Sequence, residues 1–266
     1  MFCGRANQLS SVEHVLPRWA RRDFRQPGAA TLSAGDTSGS SARQPVAKIH
    51  HLKLTLNGQI CQECNNGFLS RMENAVRAYL GPMASSAAPT TLDLTAQTAL
   101  ATWAVKTTLL LELAYRQHYP DSRPIEGYQA TPQELAWLRA EGRPPPRSFV
   151  WLGCWDCQAT TPLMYEPSGA SLPTRDGFPL AGHLTTFALG FVAFQVFTVD
   201  FVAADEHGAA PWNGLIPSTL TSALVRIWPA PGRPIAWPPL AFAANDWNRL
   251  VTWDGVLRPS RPSPKL

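Results

Sequence analysis

The stretch that decides the fold runs from Leu52 to Leu80, LKLTLNGQICQECNNGFLSRMENAVRAYL. Its first half alternates. Leu52, Leu54 and Leu56 are separated by Lys53 and Thr55, the period of a half-buried strand. Asn57-Gly58 follows, a two-residue pair favoured in hairpin turns because both residues tolerate positive φ. Gln59-Ile60-Cys61 is then expected to begin the return strand. The second half changes period. Phe68, Leu69, Met72, Val76, Tyr79 and Leu80 recur at helical spacing, and Gly81-Pro82 is expected to end the helix. Between the two patterns lies Cys61-Gln62-Glu63-Cys64, where two thiols two residues apart can grip zinc as a knuckle.

Working outward, residues 1–25 hold Cys3, an arginine-rich stretch and Glu13-His14-Val15-Leu16-Pro17-Arg18-Trp19. Residues 27–45, PGAATLSAGDTSGSSARQP, show no apolar periodicity and read as a long loop. Residues 1–81 thus form one expected unit, and residues 82–91, PMASSAAPTT, read as a linker. Residues 92–256 are expected to form an α+β unit, helices first and strands after. Its longest helix is expected over residues 95–117, on the apolar stripe Ala96, Leu100, Trp103, Ala104, Thr107, Leu110, Leu111 and Ala114. Thr131-Pro132-Gln133-Glu134 is a capping box with Pro at the first helical position, opening a helix to about Ala140. Ser148–Trp151, Leu184–Phe201 (with Gly190 as a bend) and Leu224–Trp228 read as strands. The tail, residues 257–266, is expected to be disordered.

Composition narrows the class. With 45% hydrophobic and 16% charged residues among 266, the chain is of globular and not of disordered type. A net charge of +4 suits a polyanionic partner without proving one. Arg18, Arg21, Arg22, Arg25, Arg43, Lys48, Lys53, Arg71 and Arg77 all fall in the first third, where a plain solvated surface is the competing reading. The N-terminus shows no apolar segment of a secretory signal. The apolar stretch Thr95–Tyr115 carries Gln97, Lys106 and Glu112, so a buried helix is expected there and no membrane span. A cytoplasmic location is expected. Four of the five cysteines form two C-x-x-C pairs, Cys61/Cys64 and Cys154/Cys157, which read as metal ligands before disulfides.

The chemistry of phosphodiester cleavage explains why the first unit holds these residue types. A water must lose a proton to attack phosphorus, and histidine titrates near neutrality. A divalent cation must neutralise charge on the phosphate and the leaving oxygen. Magnesium keeps several waters, so one carboxylate and one amide oxygen are a sufficient protein contribution. Glu13 offers the carboxylate, His14 the base and Asn65 the amide oxygen.

The segments FCG, LSSVEHVLPRW and ICQECNNGFLSRME, in this order, resemble the HNH branch of the His-Me finger nucleases, which have the ββα-metal fold. The similarity covers about residues 2–76. It implies a metal-dependent endonuclease acting on nucleic acid, with DNA ahead of RNA by family habit. It implies His14 as general base, Glu13 as a ligand of a catalytic Mg²⁺ or similar ion, and Asn65 or Asn66 as the second ligand. Cys3, Cys61 and Cys64 would bind a structural zinc. Arg18, Arg21, Arg22, Arg71 and Arg77 would contact phosphates, giving weak sequence readout and strong salt dependence.

Two departures stand out. The family pattern has a further cysteine three residues before Cys3, a position this chain does not contain. The true start lies upstream, or the fourth ligand comes from elsewhere, or the zinc site is degenerate. Asparagine also replaces the last histidine of the motif, and Asn65 and Asn66 serve equally well as caps for the following helix. Cys154 and Cys157 could complete a four-cysteine site if the second unit folded back, but ordinary buried thiols are the commoner reading. His50 and His51 read as surface residues. The motifs around Trp228 and Trp237 read as packing aromatics before base-stacking ones. The rival functions are a non-catalytic zinc module that holds nucleic acid or protein, and a redox protein. The second lacks the βαβ context such a motif needs.

Overall fold

A computed structural model describes residues 9–23, 30–32, 47–49, 55–118, 130–156, 163–172, 174–177, 180–209 and 223–243. The elements, in order, are β1 (Ser10–His14), α1 (Arg18–Asp23), β2 (Ala30–Leu32), β3 (Ala47–Ile49), β4 (Thr55–Cys61) and α2 (Gln62–Cys64). A π-helical turn (Asn65–Leu69) then leads into α3 (Ser70–Ser86), β5 (Thr90–Leu92), α4 (Leu94–His118) and α5 (Pro132–Glu141). The rest is β6 (Phe149–Cys154), β7 (Leu163–Leu172), β8 (Leu180–Leu189), β9 (Val192–Val199), α6 (Phe201–Glu206), β10 (Leu224–Trp228) and β11 (Ile235–Trp237). The class is α+β, as expected.

Asn57-Gly58 does not turn the chain. Both residues lie inside β4, which pairs antiparallel with β1. Ser11 faces Ile60 and Val12 faces Asn57, so Gly58 and Gln59 are extra residues that bulge out of the pairing. Gly58 has φ +74°. A turn and a bulge both need a residue that accepts positive φ, so the local signal serves either. Distant pairing with β1 decides between them, because it buries Leu56 and Ile60. Leu52 and Leu54 lie outside the described residues.

Helix α3 does not stop at Gly81-Pro82 but runs through Pro82 to Ser86. An interior proline costs about 3 kcal/mol. Met83 and Ala84 are buried beyond it, and Ala84 O accepts the Phe191 N–H at 3.0 Å. Burial of one such side chain contributes roughly 1.5–3 kcal/mol, enough with the hydrogen bond to offset the proline. The stretch read as a linker therefore holds the last turn of α3 and strand β5, which pairs with β11.

The largest sheet among the described residues has the order β10-β6-β9-β8-β7-β2-β3. Its pairs are antiparallel except β2 with β7. The expected strand Leu184–Phe201 is really two. Strands β8 and β9 reverse at Gly190-Phe191, and Phe201 opens α6, whose N-terminal amides at Val202 and Ala203 are capped by Asp200. Every residue of β9 is buried, so the sheet is covered on both faces along that strand. On one face α4 sets Trp103 against Phe187 and Phe194, with ring centroids 6.0 and 5.6 Å away. This core is continuous from Val15 and Leu56 through Leu80 and Leu100 to Val150 and Phe194. Trp151, Trp155, Leu184, Phe197 and Phe242 pack on the other side. Trp237 belongs to the first core, in keeping with its reading as a packing residue. No helix among the described residues is long and apolar enough to cross a membrane.

Candidate functional site

Strand β1 presents the Glu13-His14 pair. Successive side chains of a strand point to opposite faces. Val12 is accordingly exposed, Glu13 buried and His14 half-buried. The Glu13 side faces inward toward α4, where Lys106 Nζ stands 3.8 Å from Glu13 Oε1. Lys106 is itself fully buried. It donates to Glu73 Oε1 at 2.8 Å and to Val15 O at 3.4 Å. The Glu13 carboxyl is raised to about 7, chiefly by burial, with Lys106 opposing that rise and Glu73 adding a smaller upward push.

Strand β4 delivers the chain directly into the cysteine knuckle. Cys61 is the N-cap of α2, and its sulfur accepts the Cys64 N–H at 3.4 Å. Both thiols are buried and neither is in a disulfide. Asn65 follows at the start of the π-helical turn. Its amide nitrogen donates to Ser11 Oγ at 3.1 Å and Val12 O at 3.2 Å. This side chain ties the helix start to β1, one residue away from Glu13. A π-turn is rare in regular helices and is frequent at functional sites. Asn66, next to it, is exposed.

The structure thus brings β1, the knuckle and Asn65 together. It turns Glu13 and His14 to different sides of one strand. Arg18, Arg71 and Arg77 are exposed, the last two on α3. Arg21 and Arg22 fall on α1. Cys3, Cys157, His50 and His51 lie outside the described residues. Cys154 is buried in the same continuous core as Cys61 and Cys64. Among the described residues, no group of three or more His, Cys, Asp and Glu side chains is placed to hold a metal ion.

Fit to the two implied ions rests on donor chemistry. Cys61 and Cys64 would supply two of the four ligands of a zinc knuckle, and the sulfur of the first receives the backbone N–H of the second. For a hard cation, Glu13 would provide the carboxylate and Asn65 its carbonyl oxygen, the Asn65 nitrogen being engaged by β1.

Sequence reasoning missed Lys106, Glu73 and Gln117. In the sequence, Lys106 counts only as a charge that argues against a membrane span. A lysine inside an apolar helical stripe also signals a buried anion partner, because burial of a lone ammonium is prohibitive. Gln117 carries no comparable signal. Its side-chain amide pairs with both backbone groups of Asn57, at 3.1 and 3.3 Å, just before the bulge.

No protein-family model matches this chain, and no curated protein or solved structure is similar enough to match it.

Proposed function

We propose that this chain is a metal-dependent HNH-type endonuclease that hydrolyses phosphodiester bonds of nucleic acid, with DNA the expected substrate. One observation carries the reading. The strand bearing Glu13-His14 pairs with the strand that runs straight into Cys61-x-x-Cys64-Asn65, and the Asn65 side chain is bonded back to that first strand. The strand–strand–helix order and the residue types are those that the resemblance to HNH nucleases implies.

In this reading His14 takes a proton from water. The water oxygen forms a bond to phosphorus and the phosphorus–leaving-oxygen bond breaks. Glu13 and Asn65, or Asn66 in its place, would hold a Mg²⁺-like ion, which supplies charge neutralisation at the phosphate when bound. Cys61 and Cys64, with Cys3, would hold a zinc that clamps the helix start against β4. Asn65 fixes the distance between helix and strand. The exposed Arg18, Arg71 and Arg77 provide phosphate contacts that carry no base identity.

The test is plasmid nicking with and without Mg²⁺, comparing the parent with His14→Ala. Mg²⁺-dependent nicking that is lost in the variant supports the reading. Nicking that persists unchanged in His14→Ala removes His14 from the mechanism. Metal analysis of the purified protein should find about one zinc per chain, as a single knuckle site requires.

One observation favours a second reading, a zinc module that holds nucleic acid without cutting it. Glu13 is only 4% exposed and already faces an ammonium, so the carboxylate has a structural partner. That reading expects DNA binding with no Mg²⁺-dependent nicking in the parent.

A further inference from the structure

The three oxygens around Lys106 share one arrangement. Glu13 precedes His14 and Val15 follows it, so the ammonium holds the chain on both sides of the proposed base. The third oxygen, of Glu73 on α3, is the closest at 2.8 Å. One buried cation therefore joins three elements, β1, α3 and α4. An ammonium has three N–H donors and no acceptor; here it donates to Glu73 and Val15 and forms a longer ion pair, 3.8 Å, with Glu13. The stem of Lys106 lies within the buried stripe of α4, between Val105 and Thr107, both fully buried, and cannot move away without opening that core.

Helix α4 grips the paired strands at a second place. Gln117 lies eleven residues beyond Lys106, roughly 16 Å along the helix axis, and pairs with the backbone of Asn57. Both strands of the candidate site are thus fastened to a helix that the sequence assigns to the second unit.

We propose that Lys106 is a positioning residue for the Glu13-His14 pair, and that α4 is part of the nuclease unit. The proposal rests on the nuclease reading above. Lys106 anchors the residues flanking His14 on the inner face, which leaves the imidazole on the outer face of β1. It also sets where the Glu13 carboxylate stands for an incoming divalent cation.

The experiment compares full-length parent, Lys106→Met and Lys106→Arg. Mn²⁺ affinity is read by electron paramagnetic resonance of the free ion, plasmid nicking as kcat and KM separately, and folding by circular dichroism. Loss of a supporting residue around a metal ligand typically weakens affinity or activity by about 10–100-fold. Lys106→Met is expected to fall in that range for Mn²⁺ affinity and kcat, with KM for the plasmid unchanged. Lys106→Arg keeps the charge but cannot place a planar guanidinium on the same three oxygens, so it should fall between the two, at least about threefold below the parent. A merely structural lysine would lower the unfolding temperature and leave the Mn²⁺ affinity of the folded protein alone.

A folded Lys106→Met protein that equals the parent in Mn²⁺ affinity and kcat overturns the proposal and leaves the nuclease reading intact. If Lys106→Met does not fold, Lys106→Arg decides, and equality with the parent overturns the proposal. A parent that neither binds Mn²⁺ nor nicks plasmid brings down the nuclease reading and this proposal with it.

Discussion

His183 is fully buried on β8, with Thr185 Oγ1 3.1 Å from its ring nitrogens. Burial, aided by the nearby Arg116 charge, lowers its pKa to about 3 from an ordinary 6.5. Between those values the unfolded chain binds a proton that the folded chain refuses, so this residue lowers stability as pH falls. Glu13 works in the opposite sense. Its pKa is raised from 4.5 to about 7, so its contribution improves as pH falls through that window. The two slopes oppose one another between pH 4.5 and 6.5, and only a comparison of variants separates them. His183→Asn should gain on the parent by roughly 3 kcal/mol between pH 7 and pH 4.5, read from urea midpoints. Parallel curves for the two proteins would refute the assignment. Gly190 makes a second residue-scale case. It has φ +55°, and a β-carbon there would stand 2.0 Å from Ala84 O. Gly190→Ala should cost about 3 kcal/mol or more in thermal or denaturant unfolding. A loss under 1 kcal/mol, about the ordinary cost of a point mutation, would mean that the turn relaxes freely.

At the scale of elements, the most legible helix start was the one with the most local determinants. Thr131 accepts the Glu134 N–H at 3.2 Å, and Glu134 returns a carboxylate to the Thr131 N–H at 2.9 Å. Thr131→Ala should cost about 1 kcal/mol, seen as a lower unfolding midpoint, and an unchanged midpoint would show the cap to be idle. Helix α4 and strand β10 were equally legible, since an apolar stripe or a β-branched run is written in consecutive residues. The elements that misled are those decided at a distance. Asn57-Gly58 has the chemistry of a turn, but β1, more than forty residues earlier, recruits it into a bulge. Pro82 has the chemistry of a stop, but burial of Met83 and Ala84 carries the helix past it. At the site, the knuckle and the Glu13-His14 pair could be read from residue type and spacing. The inward turn of Glu13 could not, because its partner Lys106 lies on another helix and nothing near Glu13 in the chain announces it.

At the scale of the whole molecule, one apolar core among the described residues runs from the candidate site into the large sheet, with the buried Lys106 and Glu13 charges and the half-buried Glu73 set where the two halves of the chain meet. Cooperative unfolding is the expected result for structure that shares a core. Tryptophan fluorescence and far-ultraviolet circular dichroism should give coincident urea transitions. Two separated transitions would show that the first 86 residues melt on their own. The contact between Ala84 and the Gly190-Phe191 turn gives this continuity a mechanical side. Helix α3, about 25 Å long, is seated at its far end on the sheet and bears Glu73 near its beginning. A rigid rod pushed at one end moves at the other, so crowding at Gly190 would be transmitted as axial slip toward Glu73 and its ammonium partner. Suppressors of damage at Gly190 are therefore to be sought along α3 as well as at the turn.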